Sequence, residues 1–155
     1  MMAIRQISLL MLGFLLAAAP AAADMSAPSS APAAKPGPGP TAESEFNRGV
    51  RARNAKDWPT ATAAFQKAVE LRPGYAEAWN GLGYSLRNQG KYQESLKAYD
   101  EALRLRPDFP EALEYLGEAY VKLGRLDDAR RIHDRLKSLD AGRARELAEA
   151  IEKGK

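Results

Sequence analysis

The sequence predicts an all-α fold of stacked helical hairpins, an α-solenoid, and three observations carry the prediction. Phe65-Gln66-Lys67-Ala68-Val69-Glu70-Leu71-Arg72-Pro73 returns 34 residues later as Tyr99-Asp100-Glu101-Ala102-Leu103-Arg104-Leu105-Arg106-Pro107. Trp79…Leu82-Gly83 returns at the same interval as Leu113…Leu116-Gly117. From Ala42 onward apolar residues fall three and four apart, the spacing that places them on one face of a helix. A period of this length marks units that cannot bury their apolar faces alone and must stack on one another.

Residues 1–23 read as a cleavable secretory signal. Arg5 precedes an apolar run at residues 7–19, Pro20 breaks it, and Ala21-Ala22-Ala23 supplies a small-residue cleavage site before Asp24. The run stops well short of the roughly 20 apolar residues that cross a bilayer; a retained anchor is the alternative, and no stable membrane span is expected after cleavage. The layout is bacterial in style and points to the periplasm, with secretion into the medium left open. The chain has no Cys, which excludes disulfides and a lipid-modified Cys and suits an oxidising compartment. Removing residues 1–23 removes Arg5 and lowers the formal charge from +3 to +2. So balanced a charge gives no argument for a nucleic acid partner.

Residues 24–41 are dominated by Pro, Ala, Ser and Gly. They read as a disordered spacer with polyproline character near residues 36–40; a proline-rich ligand for another domain is the functional alternative. Seven helices follow, over about residues 42–55, 58–71, 76–89, 92–105, 110–123, 126–138 and 142–153. Asp57 is placed to cap the second helix. Gly90 and Gly124 permit left-handed helix ends, Pro73 and Pro107 separate successive hairpins, and Pro110 sits where its missing N–H costs nothing. Trp79, Leu82, Leu86, Tyr92, Leu96 and Tyr99 are the expected packing residues.

These residues resemble the tetratricopeptide repeat family, whose 34-residue pattern sets large apolar, Leu-Gly, aromatic, Gly, Ala and Pro positions. The repeat at 76–109 matches best, with Trp79, Leu82, Gly83, Leu86, Gly90, Tyr92, Ser95, Tyr99, Ala102 and Pro107. The repeat at 42–75 matches in its second half, with Trp58, Ala61, Phe65, Ala68 and Pro73, but has Arg48 for the Leu and Lys56 for the glycine. The repeat at 110–143 carries Leu113, Leu116, Gly117, Tyr120, Gly124, Leu126 and Ala129, then departs with His133, Leu136 and Ala141 for the aromatic, Ala and Pro. The resemblance implies a right-handed α-solenoid of three helix-turn-helix repeats. The last helix, with Leu147, Ala148 and Ile151 on one face, looks like the family's C-terminal capping helix, residues 142–155.

The resemblance also implies a peptide-binding groove on the first helix of each hairpin. By alignment it shows Glu43, Phe46, Val50, Arg53 and Asn54, then Glu77, Asn80, Tyr84, Arg87 and Asn88, then Glu111, Glu114, Glu118, Val121 and Lys122. Phe46 and Tyr84 are the expected apolar anchors. Arg53-Asn54 and Arg87-Asn88 repeat at the period, as do Glu43, Glu77 and Glu111. Carboxylates at one margin and Arg/Lys at the other would suit an extended peptide of mixed charge. The same placement also favours each helix dipole, by about 0.3–1 kcal/mol per charge, so both readings stand. A known family use clamps a C-terminal carboxylate with Lys and Asn in the early first helices and a basic pair in the third repeat. Here Phe46, Val50, Glu111 and Tyr115 fill those positions, so no such tail binding is expected.

Catalysis finds no support. Without Cys, and with His133 alone among histidines, a nucleophile lacks a base and a His-rich metal site lacks ligands. His133 stands at an aromatic packing position. No cofactor or metal is expected. The leading functional class is therefore an exported adaptor that binds a protein or peptide. Homo-oligomerisation as a structural component is the second class, and contact of the basic C-terminal end with an anionic surface or cell-wall polymer is the third.

Overall fold

A computed structural model describes residues 39–154. The expected signal, residues 1–23, and the spacer up to residue 38 lie outside the described residues. Among those described there are seven helices and no strand: α1 (Ala42–Asn54), α2 (Trp58–Leu71), α3 (Ala76–Asn88), α4 (Tyr92–Leu105), α5 (Pro110–Lys122), α6 (Leu126–Leu136) and α7 (Ala141–Lys153). They form a helical-repeat solenoid.

Side-chain caps start α1, α2 and α7. Thr41 and Ser44 exchange side-chain-to-backbone hydrogen bonds of 2.9 and 3.1 Å, satisfying two otherwise free N–H groups of α1. The Asp57 carboxylate accepts from the Thr60 N–H at 3.2 Å, and hydrogen bonding from Thr60 holds its pKa below the usual carboxylate value. The hairpin turns of the second and third repeats close through Gly90 and Gly124 at φ 74° and 69°. The first uses Lys56 at φ 58°, a left-handed conformation that crowds a Cβ.

α1, α3 and α5 end one residue earlier than the sequence expectation, and the largest difference lies between α6 and α7. α6 stops at Leu136, not residue 138, and α7 begins one residue early. Asp140 is the cause: its carboxylate accepts from the Gly142 and Arg143 N–H groups at 3.0 and 3.1 Å and starts a new helix. Its own N–H closes the preceding turn on the Leu136 carbonyl at 2.8 Å.

Packing pairs large residues with glycines. Phe65, fully buried on α2, lies between Gly49 of α1 and Gly81 of α3; a Cβ on either would stand 2.7 Å from its ring. Tyr99 of α4 lies against Gly83, where a Cβ would stand 2.6 Å away. Gly49, Gly83 and Gly117 occupy equivalent places, yet the residue against Gly117 is Leu147 of α7. His133, the counterpart of Phe65 and Tyr99, is left half-buried on α6, its Nδ1 3.5 Å from an Asp134 oxygen.

Two apolar clusters result. One joins Phe65, Ala68, Val69, Ala78, Leu82 and Ala98. The other joins Leu96, Tyr99, Leu103, Leu113, Leu116, Leu136, Leu147 and Ile151, and Trp79 packs against both. Leu86 packs against the first, and Tyr92 is half-buried.

The direction of curvature follows from which helices meet. α1 touches α3 and α3 touches α5, whereas no two of α2, α4 and α6 touch. The first helices are thus drawn together and form the concave side. α7 packs on α5 and α6, where the first helix of a further hairpin would lie.

Candidate functional site

The sequence-derived groove residues fall in five registers on α1, α3 and α5, and the registers differ in exposure. Phe46, Asn80 and Glu114 share the deepest one. Phe46 is half-buried, its ring 5.7 Å from Phe65 and 4.9 Å from Tyr75, so this expected anchor is part of the first hairpin's packing. Asn80 is only 4% exposed and its Oδ1 is buried without a hydrogen-bond partner. Glu114 is 3% exposed and ion-paired to Arg143 of α7. Burial pushes its carboxyl up to about 7 against the lowering effect of Arg143, with Glu146 and Glu118 adding to the rise. The structure therefore withdraws Asn80 and Glu114 from the exposed groove, because at this register each side chain faces the junction with the next helix.

The next register, Val50, Tyr84 and Glu118, holds the centre of the face. Tyr84 lies 5.9 Å edge-on from Trp58 and 4.9 Å from Tyr115. The guanidinium groups of Arg53 and Arg87 stand 5.9 and 5.3 Å from its ring centroid. Arg87 is also 5.1 Å from the Tyr115 ring and is ion-paired to Glu118, while its Nε is buried without a hydrogen-bond partner. The result is an aromatic platform bracketed by two arginines. Val50 is half-buried beside Phe65's cluster.

Asn54, Asn88 and Lys122 end the three helices and are exposed. Asn88 Nδ2 donates to the Tyr84 carbonyl at 2.8 Å. Val121 lies half-buried beside Lys122. With Arg87, Asn88 and Lys122, Tyr92 of α4 lines a cleft of ≈ 230 Å³.

The acidic margin differs from the sequence expectation. Glu43 is ion-paired to Arg72 and Glu77 to Arg106, each arginine at the C-terminal cap of a second helix. These pairs recur at the 34-residue period and join one helix start to a nearby helix end. Sequence reasoning passed over Arg72 and Arg106, although both had appeared in the repeated segment before Pro73 and Pro107. It also passed over Trp58 as a platform residue and Arg143 as the partner of Glu114.

Three models of the tetratricopeptide repeat match the sequence, at residues 64–97, 83–124 and 112–147, together more than half of the chain. Solved structures of the same fold include the TPR2B domain of yeast Sti1 in a complex with pHsp70, 21% identical, with a TM-score of 0.68 over 73% of this chain and 94% of that one. The TPR domain of Arabidopsis OM64 is 18% identical, with a TM-score of 0.69 over 72% and 94%. The second TPR domain of human RPAP3, in complex with the HSP70 peptide SGPTIEEVD, is 21% identical, with a TM-score of 0.68 over 72% and 94%. No curated protein matches the sequence. The fold is an all-α repeat solenoid, and the chain belongs to the tetratricopeptide repeat family.

Proposed function

We propose that this protein is an exported, non-catalytic adaptor that holds a peptide or protein segment in its concave groove. The carrying observation is the platform of Trp58, Tyr84 and Tyr115 with Arg53 and Arg87 against it, set at the centre of the inner helix row. Aromatic and Arg side chains in such a setting dominate binding energies at interfaces. Solved neighbours of the fold, from yeast Sti1 and human RPAP3, hold Hsp70-derived ligands, which supports a peptide as the occupant here. Export to the periplasm rests on the signal pattern of residues 1–23 and is checked by the intact mass of protein recovered from the periplasmic fraction.

The other classes find less support. Leu71 and Leu139 are the exposed large apolar side chains among the described residues, too little for an apolar self-association face. At the basic end, Arg125, Arg130, Arg131 and Lys137 are ion-paired to Asp128, Asp127, Asp128 and Asp134, leaving a mixed face for an anionic surface.

A photoreactive residue at position 84, crosslinked in living cells, tests the adaptor reading. A dominant partner that disappears when the probe sits at the exposed Arg104 of α4, and whose binding falls with Tyr84→Ala plus Arg87→Glu, supports it. Binding unchanged by that pair would remove the groove as the site, and crosslinks only to the protein itself would turn it into a subunit interface.

A further inference from the structure

The groove's charges do not balance once internal ion pairs are counted. Of the groove's five glutamates, Glu43, Glu77, Glu114 and Glu118 are ion-paired to Arg72, Arg106, Arg143 and Arg87, and Glu111 stands apart in the first turn of α5, at the acidic margin. At the opposite margin, among the described residues, neither Arg53 nor Lys122 has a carboxylate within ion-pair distance. Arg53 only overlies the Tyr84 ring, 5.9 Å from its centroid. Lys122 is exposed and opens onto the ≈ 230 Å³ cleft that also holds Asn88 and Tyr92. Asn88 uses one amide N–H on the Tyr84 carbonyl and keeps another.

A cation, an amide donor and a phenol around one cleft are the chemistry that receives a carboxylate. Asn88 and Lys122 stand in the last turns of α3 and α5, and Tyr92 opens α4, away from Phe46, Val50, Glu111 and Tyr115. Arg53 and Lys122 sit on α1 and α5, with α3 between them. Packed helices lie about 8–10 Å apart, so two spacings are matched by roughly five to six residues of extended chain at about 3.3 Å each.

Building on the groove reading above, we propose that the groove selects an extended acidic segment of its partner. One carboxylate side chain lies in the cleft of Asn88, Tyr92 and Lys122, and a second, five or six residues away, lies on Arg53. This narrows the mixed-charge peptide expected from sequence, because the structure neutralises Glu43 and Glu77 internally.

The test uses isotope-labelled protein from the full coding sequence and two probes with blocked ends, hexaglutamate and hexalysine, followed by NMR. Saturating shifts at the amides of residues 53, 54, 88 and 122 with hexaglutamate, and none there with hexalysine, support the proposal. So does an affinity loss of at least about tenfold in Arg53→Glu plus Lys122→Glu, with Arg131→Glu as an unchanged control and circular dichroism showing an intact fold. No shift with hexaglutamate, or shifts confined to α6, would overturn it. The two readings fail separately. A partner captured from position 84 at full strength by the Arg53→Glu plus Lys122→Glu protein leaves the adaptor standing and removes the acidic preference. Hexaglutamate binding with no partner captured leaves the anion site and removes the adaptor.

Discussion

Truncating Phe65 should uncouple the first hairpin from the rest of the array. The ring is fully buried and is bounded on both sides by glycines, Gly49 and Gly81. Neither neighbour has a side chain that can relax into the space left by Phe65→Ala. Large-to-small changes of this kind cost about 3–5 kcal/mol, and the cost rises with how poorly the site collapses, so the upper half of that range is expected. Stability in repeat arrays passes through nearest-neighbour interfaces. The loss should therefore concentrate in α1 and α2, while the cluster of Leu113, Leu136, Leu147 and Ile151 keeps its protection. Hydrogen exchange read by mass spectrometry, beside urea unfolding of the same variant, gives both numbers. A loss below about 1 kcal/mol, against the range cited, or amides of α6 and α7 opening as much as those of α1, would refute the reasoning.

Other outcomes follow from single positions. Lys56→Gly should stabilise by roughly 1 kcal/mol by removing a Cβ from a left-handed turn; an unchanged or lower melting temperature would contradict the strain. Gly83→Ala should destabilise by about 1–3 kcal/mol, since its Cβ would stand 2.6 Å from the buried Tyr99 ring; calorimetry reads the effect. Glu114 has a folded pKa raised to about 7 from 4.5, with Arg143, Glu118 and Glu146 around it. The folded state thus holds its proton where the unfolded chain has released it, a contribution present below the unfolded value and lost as pH rises through 7, on the order of 1–3 kcal/mol. Urea unfolding from pH 5 to 8 should show that fall, and Glu114→Gln should flatten it. A peptide ending in an acidic C-terminal pentapeptide should gain no affinity from its free carboxylate; binding lost on amidation would overturn the reading of Phe46, Val50, Glu111 and Tyr115.

Several helix boundaries were legible from local causes: Asp57 caps α2, Pro110 opens α5, and Gly90 and Gly124 turn the chain; α3, α4 and α6 start without a side-chain cap, and there the 34-residue period carried the reading. The shortened α6 was not legible, because the third repeat has Ala141 where others have Pro, and the competing signal was the cap at Asp140. Within the groove, periodicity placed the residues at equivalent positions on α1, α3 and α5. It did not give exposure, because Phe46, Asn80 and Glu114 sit in one register whose depth depends on the neighbouring helix. Nor did it give charge, because the partners of Glu43 and Glu77 are 29 residues further along, at Arg72 and Arg106, a spacing no single helix turn suggests.

The slot beside Gly117 shows where such a chain can grow. In each earlier hairpin the equivalent space belongs to an aromatic ring of the same hairpin, but here Leu147 of α7 occupies it and His133 has moved aside. The last hairpin and α7 are therefore cut to fit each other and form one indivisible terminal piece. A further 34-residue unit added after residue 143 would have to displace α7 from the place it fills beside Gly117. One added ahead of residue 110 would instead stack between repeat hairpins, so insertion there should be tolerated better than addition after residue 143.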